Sequence, residues 1–230
     1  MFRAFRFLVA LVLLPALAAE CLAIRALMPA FFIGDFPFLS PEILAVLGGY
    51  AAWTVLFAFA RIPEWIYVLG HELTHAAWGL CTFSKVGRIR VSSSGGSCVV
   101  SNPGMFTTLA PYFVPFYMVV TLLTRLAVGL FADMAQYALW WLAAIGFTYG
   151  FHLTYTVKTL VEVEQPDVRE YGRFFSYVLI VAANLLVLGA GLVWVTGTPP
   201  GQYVAELGDC LRESYVWTWR WLCALAKSVV

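Results

Sequence analysis

The sequence predicts an all-α polytopic membrane protein, and two observations predict it. Of 230 residues, 62% are hydrophobic and only 12% are charged, with a mean hydropathy of +0.83. A soluble domain carries about a quarter charged residues. The apolar residues also fall in long blocks rather than alternating, the pattern of helices long enough to cross a bilayer. The net charge of +1 points to neither a nucleic acid nor a strongly acidic partner.

In chain order, apolar blocks near 5–31, 41–60, 64–81, 105–131, 134–160 and 171–196 give about six transmembrane helices. Pro- and Gly-bearing gaps separate them: GDFPFLSP at 34–41, RIP at 61–63, SNPG at 101–104, QPD at 165–167 and TGTPPG at 196–201. The first block opens with Arg3 and Arg6 and runs into an Ala-rich stretch, which also fits a cleavable signal peptide. Its apolar character continues to Phe32, long enough to span, so an uncleaved first helix is expected.

Residues 84–101, SKVGRIRVSSSGGSCVVS, alternate small, β-branched and basic residues around a Gly-Gly and predict a short β-hairpin. Non-helical backbone beside membrane helices has to sit at the interface or line a wet cavity. The tail, 201–230, sets Trp217, Trp219 and Trp221 close to Arg220 and Lys227. It reads as an amphipathic helix, either lying in the membrane interface or packed onto the bundle. The domain expectation is one membrane-embedded domain over 1–200, with its core at about 64–196, followed by the tail at 201–230.

A six-helix topology puts seven Lys and Arg on each side, so the positive-inside rule assigns no orientation. Five scattered cysteines without a CxxC pair argue against a disulfide framework and against a cysteine zinc site.

The chemistry concentrates in YVLGHELTHAAWGL, residues 67–80, where ionisable groups stand inside an apolar helix. Such groups are costly at membrane depth, and a bound ion offsets the cost. His71 and His75, four residues apart, share one helix face and can reach a single zinc ion. Glu72 then stands beside the open coordination position as general base. Small Gly70 and Ala76 let neighbouring helices approach.

GHELTHAA in a membrane helix, followed by a hairpin, further helices and a late QPD, resembles the site-2 proteases, which are intramembrane zinc metallopeptidases. The resemblance covers roughly 64–185 as an order of elements, with HELTH its one specific motif. It is closest to compact bacterial members, some of which carry Asn-Pro-Asp-Gly around a late aspartate ligand. This chain departs from them, with Gln165 for Asn and Val168 for Gly, and NPGMFTTLAPYFVP is the nearest stretch to the family's Gly-Pro and Asn signature. The resemblance implies Asp167, 92 residues after His75, as third ligand.

His152 competes for that place. If the helices at 64–81 and 134–160 run parallel and straight, it lies within about 10 Å of the depth of His75. Otherwise His152 bonds locally and Asp167 caps a helix. Glu162 and Glu164 read as a solvated helix end, and Asn184 as a packing residue.

The expected function is zinc-dependent hydrolysis of peptide bonds in membrane-spanning or membrane-proximal substrates by a multi-pass protein, of the bacterial inner membrane by the resemblance. Two rivals stand beside it. One is a membrane zinc protease of the CAAX-prenyl type, with a glutamate from Glu162, Glu164 or Glu170 as third ligand. The other is a non-catalytic membrane scaffold on a protease fold.

Overall fold

A computed structural model describes residues 2–34, 38–92 and 95–229. Residues 35–37 of the first gap, Ser93–Ser94 of the hairpin and Val230 of the tail lie outside the described residues. The chain is 78% helical and its one described sheet has two strands, so the all-α class holds.

Its helices are α1 (Phe2–Ala26), α2 (Pro41–Phe59), α3 (Trp65–Cys81), α4 (Met105–Leu109), α5 (Phe116–Gly129), α6 (Ala138–Glu162), α7 (Pro166–Tyr171), α8 (Arg173–Thr196) and α9 (Pro200–Val229). Strands β1 (Val86–Ser92) and β2 (Gly95–Val100) form the hairpin between α3 and α4. By length and apolarity, α1, α2 and α8 are each able to cross a membrane.

The chain divides into two compact units, 1–40 with 171–230, and 41–170. In the first, α1 packs against α8 and α9 through Ala19, Ala23, Leu27, Val193, Tyr203 and Cys210. The tail is thus a helix packed along α1.

In the second unit α2 and α6 make the most extensive contact. Lipid is as apolar as a leucine side chain, so close packing and hydrogen bonds must hold such helices together. Gly49 and Gly146 allow it: a Cβ at either would collide with the backbone carbonyl of Ala143 or Val46 respectively. Trp53 of α2 seals the pair, its ring 4.9 Å from Phe151 and its Nε1 donating to Thr154 Oγ1 at 2.8 Å. Tyr67 of α3 stacks on Tyr155 of α6 at 5.1 Å, which ties α3 to this layer.

One expectation is corrected. The block at 105–131 is not one helix: Met105–Tyr112 and Phe116–Gly129 meet at 83°. Pro111 and Pro115 are the cause, since each lacks the amide donor and restricts the residue before it. As a result, Thr107, Thr108 and Tyr112 are buried against α3. The expected hairpin is present, with the glycine pair in β2, Gly95 opposite Ser92 and Gly96 opposite Val91. The glycine pair therefore belongs to a strand, where the missing side chains make room for a neighbour.

Candidate metal centre

On α3 the HELTH spacing brings the rings of His71 and His75 to 4.9 Å, one above the other. Gly70 lets α5 close behind them, since a Cβ there would stand 2.8 Å from the Tyr117 ring. Tyr117 in turn donates its hydroxyl to the Ile66 carbonyl.

The ring nitrogens of His75 have separate tasks. Nδ1 lies 2.9 Å from the Thr107 carbonyl, which can only accept, so Nδ1 carries the hydrogen and, in the neutral ring, Nε2 has the lone pair a metal would take. A histidine that ligates metal usually spends its other nitrogen this way. The helix break in 105–129 delivers that carbonyl.

Nε2 of His71 and of His75 both face Asp167 Oδ2, at 3.6 and 3.4 Å. These separations exceed ordinary hydrogen-bond lengths of about 2.7–3.2 Å. They match donors around a tetrahedral ion with bonds of about 2.0–2.1 Å, which puts ligand atoms about 3.3 Å apart. Among the described residues this is the one group of three such side chains whose ligating atoms all lie within 4.8 Å of one another.

Asp167 arrives because the chain reverses after α6. Val163 is extended, with φ −129° and ψ 131°, and α7 starts at Pro166. Tyr112, fully buried, donates its hydroxyl toward Asp167 Oδ2 at 3.2 Å and Gln165 Oε1 at 3.3 Å. The Gln165 amide reaches back to the carbonyl of Val163 at 3.4 Å. Burial alone would push the Asp167 carboxyl up, but the two imidazoles outweigh it and hold the group below the usual carboxylate range. It is therefore an anion at neutral pH, as a ligand must be.

Glu72 is buried on the neighbouring face of α3, under β2. A Cβ on Gly96 would lie 2.6 Å from its Oε1 and 2.6 Å from Val68 Cγ1. The cavity around the cluster measures about 570 Å³ and is lined by His71, Glu72, His75, Gly96, Thr108 and Asp167 among others. Far more than one ion fits there. At its rim Lys158 Nζ pairs with Glu64 Oε1 at 2.6 Å and stands 3.9 Å from Glu162 Oε2, so Glu162 is an ion-pair partner at the rim.

His152 is buried on α6, with its ring stacked on Tyr149 at 6.4 Å, and is outside the ligand cluster. Glu162 and Glu170 line the cavity and are likewise outside it. Asn184 donates to the Ile180 carbonyl of its own helix at 2.9 Å. Thr107, Tyr112 and Gly96 are site residues that the sequence did not single out. The first two lie in NPGMFTTLAPYFVP, and Gly96 in the Gly-Gly read as hairpin.

Comparison with protein-family models, curated proteins and solved structures returns no match, so the functional reading rests on this geometry.

Proposed function

We propose that the protein is a zinc-dependent endopeptidase of the site-2 protease type, hydrolysing peptide bonds of membrane-spanning or membrane-proximal substrates. One observation carries the reading: two histidine nitrogens and a carboxylate oxygen lie within 4.8 Å of one another, each nitrogen 3.4 or 3.6 Å from the oxygen, with a buried glutamate beside them over an open cavity. Two nitrogens and one oxygen suit zinc, and three protein ligands with a fourth place free are the catalytic arrangement. When bound, zinc polarises a carbonyl and makes water acidic enough to yield a nucleophile near neutral pH.

The residues supply the rest. His71, His75 and Asp167 hold the ion, and Glu72 receives the proton from water and returns it to the leaving amine. Strand β2 lines the cavity from Gly95 to Cys98, and an extended peptide laid against it would meet main-chain hydrogen bonds. The aspartate donor favours this reading over the CAAX-prenyl rival, whose glutamates lie outside the cluster.

A membrane position follows from α1, α2 and α8, and the bent α4–α5 pair adds a fourth candidate span. The six-helix reading adds α3 and α6, whose ionisable groups turn to the cavity rather than to lipid. It makes the protein multi-pass, by resemblance in a bacterial inner membrane. Trp217, Trp219 and Trp221 of α9 stay exposed, as headgroup-level indoles would be.

Glu72→Gln is the deciding variant. It should keep about one zinc per chain and lose proteolysis of a membrane substrate by at least about 100-fold. Full proteolysis in the variant would sink the enzyme assignment, and a wild type that holds no metal would leave the scaffold reading.

A further inference from the structure

His71 and His75 differ at the nitrogen that does not face Asp167. In His75 this is Nδ1, and the Thr107 carbonyl meets it. In His71 it is also Nδ1, but the atom is buried and no hydrogen-bond partner meets it among the described residues. A histidine that ligates metal almost always donates through its second nitrogen. Carbonyl oxygens are scarce around His71, because α3 and α6 run unbroken past it and bond their carbonyls within the helix.

A second, small cavity of about 10 Å³ lies beside His71, bordered by Thr74 of α3 and His152 of α6. One buried water needs about 10–15 Å³ and typically makes about three hydrogen bonds. We propose that a single water in this cavity links His71 Nδ1 to His152, which makes His152 a positioning residue for a metal ligand. The inference rests on the metal reading of the cluster.

The polar groups around the cavity match the needs of one water. It accepts from His71 Nδ1 and has two hydrogens to give. His152, 5% exposed and with its Nε2 buried, brings a ring nitrogen that can accept. Thr74 spends its own hydrogen on the Gly70 carbonyl at 2.7 Å, so its oxygen is left as the second acceptor. Val114, Phe116 and Phe151 line the cavity with carbon, which confines the water to this polar side.

The link does what packing does not. Tyr112 and His75 meet the His71 ring edge-on at 5.1 and 4.9 Å. Such contacts hold the plane of a ring without choosing which nitrogen faces Asp167. A hydrogen bond at Nδ1 makes that choice, and in the neutral ring it leaves the lone pair on Nε2. His152 thereby acts on the centre from outside the ligand set.

The experiment measures zinc affinity of the full chain in detergent by competition with a chelator. His152→Phe keeps a ring and removes the acceptor. It should raise the zinc dissociation constant about 10–100-fold, with stoichiometry still near one. His152→Gln, whose side-chain oxygen accepts, should recover most of that loss. A merely structural role would instead lower the unfolding midpoint of the metal-free chain in both variants, with no recovery by glutamine. Unchanged affinity in His152→Phe, or equal loss in both variants, would overturn the proposal and leave the metal centre standing. Complete loss of zinc in His152→Phe would overturn it by making His152 a direct ligand. A wild type that binds no zinc removes the metal reading and this proposal together. Should the variants fail to fold, zinc-loaded wild type with 15N-labelled histidine decides, since the chain has only three histidines. The His71 Nδ1 proton should show a cross-peak to a long-lived water, and its absence overturns the proposal.

Discussion

Asp167 holds its place through three side chains from elsewhere: Tyr112 donates to it, and His71 and His75 face it. Loss of a direct ligand lowers metal affinity steeply, whereas removing an outer hydrogen-bond partner typically costs 10–100-fold. Asp167→Ala should therefore abolish stoichiometric zinc, while His152→Ala retains a measurable site, both read by metal analysis of purified protein. The opposite pattern would mean a three-histidine centre. Gly96 bears on Glu72 instead. Its Cβ would stand 2.6 Å from the carboxylate, so Gly96→Val should reduce turnover while leaving metal content near one per chain. Equal loss of metal and turnover would show that the strand supports the ligands rather than the base.

At the scale of elements, the close contact of α2 and α6 depends on two absent side chains. Gly49 and Gly146 sit where any Cβ meets backbone carbonyl, which is not the movable end of a side chain. Overpacking of this kind costs about 1–3 kcal/mol. Gly146→Val should lower the midpoint of thermal unfolding in detergent, whereas Gly191→Ala, with open space around its Cβ position, should change it little. The broken helix from Met105 to Gly129 has the opposite logic, giving up continuity at Pro111 and Pro115. In return the Thr107 carbonyl reaches His75 and the Tyr112 hydroxyl reaches Asp167.

For the molecule as a whole, the candidate metal centre joins segments far apart in sequence, α3 near residue 71 and α7 at residue 167. An ion bound to the folded chain alone stabilises it by RT ln(1 + [L]/Kd), about 2.7 kcal/mol at a hundredfold excess over Kd. Chelation should therefore lower the unfolding midpoint of wild type and leave that of His71→Ala unchanged. A midpoint indifferent to chelator in both would remove the metal from the account. Much of the centre was legible beforehand. HELTH puts two imidazoles and a glutamate on one turn of helix whatever the surroundings, and long apolar blocks mark helices by local composition alone. What residues 71–75 and the apolar blocks do locally was therefore determined by the sequence itself. Only the tertiary structure shows that Asp167, and not His152, stands beside His71 and His75, because extrapolating straight helices ignores the reversal at Val163–Gln165. That reversal is anchored by Tyr112, 53 residues from Gln165, and no local periodicity encodes a contact of that range. The same holds for Gly96: in sequence it is part of a hairpin, and only the approach of Glu72 shows why it has no side chain.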